Sequence, residues 1–424
     1  MNAINNRLKI ISFLGSNDYY EVVYLHPDYQ HNQIKLTTPY YQEALVEFYQ
    51  PQTLYVLLTP TAEQKNWDKL AARLEGKVDL QPIKNIPENN TPDDIWKIFD
   101  RVTDCLQSGD EVIFDITHSF RSIPIVALLA ASYLRVVLQV NIKGLLYGAF
   151  EARDLKTKET PSFDLFPIVS LLDWTTATDR FIKTGNAQAL ADLLKNSRAK
   201  NQSTEDLADN LNNIALNLQI LRPADLMEEA AKLPEYIQQA TATVSQDIKP
   251  LAALLERVKS DYERFGVADL NERDRAKEVL IKQLDMVEWY VNKQQIVQAL
   301  SVSREWLPSL LCYHFNLDAM DAEARSEMEL LLRGGKDKNK EGNTVNESKF
   351  LTQWKEINKK KRKPLNKLWG GDFKLANLRN DVLHAGYRKN YSSAAYIQAQ
   401  TEKIVELLKA IAVEWDILDE SNFS

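Results

Sequence analysis

Two short segments of this 424-residue chain concentrate side chains able to do chemistry. The first, Asp115-Ile-Thr-His-Ser-Phe-Arg121, puts an acid, two hydroxyls, an imidazole and a guanidinium into seven residues. Thr117 and Ser119 can donate to anionic oxygens, Arg121 can fork onto a phosphate, and His118 can stack on a base or hydrogen-bond to it. Where such a segment opens a helix, its outward backbone N–H groups add to the preference for phosphate. The plainer reading is a capped turn in which Arg121 pairs with Asp115. The second segment is Leu378-Arg-Asn-Asp-Val-Leu-His-Ala-Gly386. Arg379 presents a planar cationic fork, and the imidazole of His384 can give or take a proton near neutrality. On an ideal helix, residues five apart lie about 140° apart. Arg379 and His384 therefore do not share a face, whereas Asn380 and His384 do. One undistorted helix cannot converge all three groups; two copies across a symmetry axis could. The plainer reading here pairs Arg379 with Asp381 or Asp372 and leaves His384 at a helix terminus near Gly386.

The elements that must position these groups fall into two regimes. Up to about residue 170, strands and helices alternate. Lys9–Leu14, Thr53–Leu58, Val78–Ile83, Glu111–Ile116 and Ile142–Tyr147 read as strands, and Tyr20–Leu25 with Gln33–Thr37 as a hairpin. Helices are expected over 39–49, from an N-cap at Thr61 to Leu74, from the Thr91-Pro92 start, and from Ser122 or Pro124 to Leu138. The last is mostly apolar and should be buried. Such alternation implies a mostly parallel, doubly covered sheet whose ligands sit beyond the strand ends at a switch in strand order. That rule brings Gly15-Ser16-Asn17, the Thr59–Thr61 turn and the segment after Ile116 to one rim. Beyond Ser170 only helical periodicity remains, with a helix break at Pro234 and a mobile Gly/Lys/Asn-rich loop over 334–346.

The phosphate-loop, dinucleotide and nucleophile-elbow fingerprints are all absent. No His/Cys/carboxylate cluster has zinc spacing, so neither metal nor cofactor is expected. Cys105 and Cys312 alone cannot build a disulfide framework, which fits a reducing cytoplasm. No long apolar run exists for a membrane helix, and no partner membrane is expected.

Phe13-Leu14-Gly15, Tyr24, the Thr59 strand end, Trp67, Asp115-Ile-Thr-His-Ser-Phe-Arg-Ser-Ile-Pro124 and Tyr147-Gly148-Ala149 together resemble the sensor half of CRISPR-associated CARF proteins. Ser119 departs from the Gly expected after the histidine. The segment from Arg379 to His384 resembles the Arg-x-x-x-x-His signature of HEPN ribonucleases, with the polar Asn380 that family prefers. The resemblance to the CARF–HEPN ribonucleases of type III CRISPR systems implies an α/β Rossmann-like CARF domain (1–170), an all-α connector (171–280) and an all-α HEPN domain (281–424). It implies a homodimer in which Gly15, Ser16, Asn17, Thr59, Thr117, His118, Ser119, Phe120 and Arg121 line a cyclic oligoadenylate, four adenylates by family habit. It further implies that Arg379, Asn380 and His384 cut single-stranded RNA without a metal, by attack of the ribose 2′-hydroxyl on the adjacent phosphate. The runner-up is a non-catalytic sensor acting through a helical partner-binding half.

The net charge of −7 argues at first against a nucleic-acid enzyme. Residues 331–390, however, hold 16 Lys and Arg against 6 Asp and Glu, so an acidic body carries one basic region. Within it, Lys359, Lys360, Lys361, Arg362 and Lys363 form a run that is either a solvated face or a guide for RNA phosphates.

Overall fold

The computed structural model describes residues 7–28, 33–89, 91–118, 123–196, 200–244, 249–270, 275–387 and 389–419. The chain divides into two compact units, Met1–Leu172 and Asp173–Ser424.

The first unit is built on a six-stranded sheet of order β5-β4-β1-β6-β7-β9. Its strands are β1 (Leu8–Phe13), β4 (Thr53–Leu57), β5 (Asp79–Ile83), β6 (Glu111–Asp115), β7 (Asn141–Gly148) and β9 (Ser162–Asp164). All pairings are parallel except β7 with β9. A small second sheet joins β2 (Val22–Leu25), β3 (Lys35–Thr38) and β8 (Glu159–Thr160), with β2 and β3 as the expected antiparallel pair.

Alternation along the central strands explains why both faces are covered. Ile10, Leu54, Val56 and Ile113 pack toward α1 (Tyr41–Tyr49) and the segment through Leu74. Ile11, Val112 and Phe114 pack on the other side with Ile98 and Val102 of α4 (Pro92–Thr103) and Leu134 of α5 (Ile123–Val137). The chain runs from β1 outward to β4 and β5, then returns to lay β6 and β7 on the opposite side of β1. The switch in order therefore lies between β1 and β6.

Two expectations change here. Thr59, not Thr61, caps the helix after β4: its Oγ1 accepts the Ala62 N–H at 3.2 Å, and Pro60 takes the first helical position, where a missing N–H costs nothing. That short helix, α2 (Pro60–Ala62), passes through a π-helical turn at Glu63–Trp67 into α3 (Asp68–Leu74). Helix α5, expected to be buried, leaves Leu129, Tyr133, Val136 and Val137 between 48% and 81% exposed. Mostly apolar around its circumference, it exceeds what one sheet face can cover.

The second unit is helical around one continuous core that runs from Trp174 to Ile417. Its helices are α6 (Phe166–Thr184, which begins in the first unit), α7 (Gln188–Asn196), α8 (Gln202–Ile220), α9 (Pro223–Val244), α10 (Lys249–Tyr262), α11 (Ala276–Asn292), α12 (Ile296–His314), α13 (Ala322–Leu332), α14 (Leu351–Glu356), α15 (Lys359–Trp369), α16 (Leu375–Leu383) and α17 (Ala394–Glu414). Pro234 does not end a helix: α9 runs through it, because Leu233 and Ile237 are both buried in the same core and hold the two halves in line. The anticipated connector–effector border at residue 280 falls inside α11. The 334–346 stretch is not simply a loop: β10 (Lys336–Lys338) and β11 (Thr344–Glu347) pair antiparallel, tied by Lys336–Glu347 at 2.6 Å. Among the described residues, no helix is long and apolar enough to cross a membrane.

Candidate functional site

At the switch point, the carboxyl ends of β1, β4, β6 and β7 open onto a cleft of about 680 Å³. Gly15, Ser16, Asn17, Thr59, Thr117 and His118 all line it. Ser119, Phe120 and Arg121 lie outside the described residues. Sequence reasoning missed Asp18, Tyr19, Tyr20, Phe150 and Glu151, which share the lining. Among the described lining residues there is no Lys or Arg, so hydroxyls, rings and backbone groups dominate the wall.

The floor is set by Asp115, which is fully buried. One carboxyl oxygen accepts the Ser12 hydroxyl at 2.6 Å and the other accepts the Thr117 N–H at 2.9 Å, tying β6 to β1. Burial pushes this carboxyl up to about 6, against the downward pull of those two bonds. Thr117 is fixed in turn, because its Oγ1 accepts the Gly148 N–H at 2.8 Å. Only glycine fits at 148: a Cβ there would lie 2.8 Å from the Tyr41 ring.

The Gly15–Asn17 loop is gripped by the π-helical turn. Asn66 Nδ2 donates to the carbonyls of Gly15 and Asn17, both at 2.9 Å, and Lys65 Nζ donates to that of Ser16 at 3.2 Å. A π-turn widens the helix locally and re-aims side chains, a frequent feature of functional sites. Tyr19 OH accepts the Gly15 N–H at 2.8 Å, and its ring meets His118 edge-on at 4.7 Å. The His118 Nε2 atom is fully shielded and has no hydrogen-bond partner among the described residues. Burial lowers its imidazole to about 4, so the ring is neutral across the physiological range. The neutral ring therefore shapes the cleft wall, and its shielded nitrogen meets a ligand only when the ring turns outward.

The second constellation lies in the helical unit. Arg379 and Asn380 sit on α16, and His384 is its first residue past the end. Ala385 and Gly386 then adopt left-handed backbone at φ 52° and 70°, so the chain reverses directly after the histidine. The ideal-helix expectation thus holds only to Leu383. Arg379 Nη1 donates to Asn380 Oδ1 at 2.9 Å, while Asn380 meets His384 through its main-chain carbonyl, which accepts the His384 N–H at 3.0 Å. His384 itself is exposed. The ion partner of Arg379 is neither Asp381 nor Asp372 but Glu305 of α12, at 3.5 Å. Asp372 pairs with Lys367, and Asp381 accepts the Ser392 N–H at 2.7 Å, pinning the segment after the motif to α16.

The basic run is helical, forming the start of α15. Lys361 pairs with Asp416 at 3.0 Å, and Arg362 donates to the carbonyls of Ile357 and Lys355. Lys359, Lys360 and Lys363 are exposed.

Residues 9–151 match the family model described as CRISPR system endoribonuclease Csx1, CARF domain. The chain carries a CARF domain. Residues 170–272 match a second model, CRISPR-associated protein MJ1674, second domain. The curated MJ1674 protein of Methanocaldococcus jannaschii is 29% identical over 181 residues, 40% of this chain. The match spans only 27% of that relative's length. A solved structure of Enterococcus italicus Csm6 bound to cyclic hexa-2′-fluoro-hexa-dAMP aligns with a TM-score of 0.49 at 11% identity, over 98% of this chain and 96% of that one. The α/β unit, whose cleft lies at the sheet's switch point, is thus similar to the CARF domains of CRISPR-associated proteins, and the described remainder of the chain is mostly helical.

Proposed function

We propose that this protein is a ribonuclease of type III CRISPR defence, switched on when a cyclic oligoadenylate occupies the CARF cleft. The observation that carries the sensing role is the convergence of Gly15–Asn17, Thr59, Thr117 and His118 on one cleft within the CARF-matched segment. Adenine rings suit Tyr19, Tyr20 and Phe150, while Thr and Ser hydroxyls and backbone N–H groups suit the phosphates. A ring ligand with two-fold symmetry calls for a second copy of the chain. The exposed apolar stripe of α5, extended by Trp96 (64% exposed) of α4 through Phe99 and Tyr133, offers a surface to meet it.

Cleavage is assigned to Arg379, Asn380 and His384, in the region for which the resemblance implies a HEPN domain. The substrate brings its own nucleophile. Removal of the 2′-hydroxyl proton lets that oxygen attack the adjacent phosphorus in line, the 5′-oxygen departs and takes up a proton, and Arg379 stabilises the charge on the phosphate oxygens. His384, exposed at a helix end, is placed to handle one of those protons. The step requires no metal.

The runner-up, a non-catalytic sensor, has one observation in its favour: both terminal nitrogens of Arg379 already have protein partners. Purified protein incubated with labelled single-stranded RNA and with cyclic tri-, tetra- or hexa-adenylate separates the two. Ring-dependent cleavage supports the ribonuclease; ring binding with intact RNA establishes the sensor.

A further inference from the structure

Arg379 belongs to a charge cluster that its own helix does not reveal. Glu305 Oε1 lies 2.6 Å from Arg304 Nη1 and 3.5 Å from Arg379 Nη2, and Oε2 lies 2.6 Å from Arg325 Nη2. Arg304 also pairs with Glu329 at 2.8 Å. Arg325 donates as well to Ser309 Oγ and to the carbonyls of Ala319 and Glu305. Among the described residues, three guanidiniums of this cluster thus face two carboxylates, one negative charge fewer than positive. Arg379 makes the longest contact of the three with Glu305, so it is oriented more than it is neutralised. Asn380 holds its Nη1, and its Nε is buried with no partner among the described residues. Burial works against the charge on Glu305, yet Arg304 and Arg325 hold its carboxyl below the usual range, so the carboxylate persists at neutral pH.

We propose that Glu305 is a positioning residue for Arg379, fixing the plane of the guanidinium that meets the scissile phosphate. A carboxylate behind an arginine limits its rotation, and such preorganisation matters because small misplacements of a charge-stabilising group slow a reaction steeply. This inference rests on the ribonuclease reading above.

The test is single-turnover RNA cleavage by the full-length, ring-activated protein. Glu305→Gln keeps the size and one acceptor oxygen but removes the charge. It is expected to slow cleavage on the order of 10- to 100-fold with RNA affinity close to wild type; the melting temperature falls because Arg304 and Arg325 lose their shared charge, so rates are read at a temperature where the variant is folded. In the Arg379→Lys background the same substitution should cost little more, because the group it orients is already gone. Should Glu305→Gln fail to fold, Glu305→Asp keeps the charge with a shorter reach and is expected to show an intermediate loss. Wild-type cleavage by the folded Gln or Asp variant overturns the inference. So does an undiminished effect in the Arg379→Lys background, which would mark a purely structural role. A wild-type protein that binds the ring and leaves RNA intact removes the ribonuclease reading and this inference with it.

Discussion

Asp115→Asn tests how the CARF cleft is built, at a carboxylate fully buried beneath it. The carboxyl is raised by burial from the ordinary 3.8 to about 6. Because the folded value lies above the unfolded one, the folded chain holds the proton more tightly between the two. Stability from this group is therefore present at low pH and lost as pH rises from about 4 through about 6. A rise of about two units corresponds to about 3 kcal/mol, fully expressed near pH 7. Asparagine stays neutral, and it can accept the Thr117 N–H through its oxygen while its amide donates to Ser12 Oγ, so both tethers have replacements. The variant should match wild type at about pH 4 and exceed it by about 3 kcal/mol at pH 7. The assay is amide exchange of β1 and β6 in the full-length protein, corrected for intrinsic rates, where the difference appears as protection higher on the order of 100-fold at pH 7. A variant–wild-type difference that does not change between these pH values refutes the reasoning. So does one that turns in favour of wild type as pH rises, since it would mean the Ser12 and Thr117 bonds outweigh burial.

Asn66→Ala removes both side-chain bonds to the Gly15–Asn17 loop and should raise the dissociation constant for cyclic oligoadenylate about 10-fold, measured by calorimetry, with the melting temperature little changed. Replacing Lys359, Lys360 and Lys363 together by alanine should weaken RNA binding and flatten its dependence on salt by up to about three counterions; an unchanged slope assigns them to a solvated face. Tyr133→Glu places a charge in the exposed stripe of α5 and should shift the protein toward monomer in sedimentation, whereas an unaltered dimer would place the interface elsewhere.

Much of the CARF half was legible because its rules are local. Short continuous apolar runs closed by turn residues marked β1, β4 and β6, and the Thr91-Pro92 start was borne out by a side-chain cap to Asp94 N–H. The switch-point rule then brought Gly15, Thr59 and Thr117 together without any knowledge of contacts. What stayed hidden depends on packing. The Asn66 grip requires a π-turn that no sequence period signals, and the exposed stripe of α5 cannot be told from core by hydrophobicity alone. Pro234 reads as a breaker locally, but burial on both sides of it offsets a cost of about 3 kcal/mol. In the helical half, the spacing of Arg379 and His384 was visible, and so was a helix terminus near Gly386, which His384 caps, but the contact with Glu305, on a helix far away in sequence, was not.

The central claim, that one chain senses a cyclic nucleotide and cuts RNA with Arg379, Asn380 and His384, is tested most directly by His384→Ala beside wild type. Cleavage of a labelled single-stranded RNA is followed with and without cyclic tetra-adenylate, alongside ring binding and dimer mass. The account predicts cutting by wild type only when the ring is present, and none by the variant although it still dimerises and binds the ring. Undiminished ring-dependent cutting by His384→Ala would contradict it.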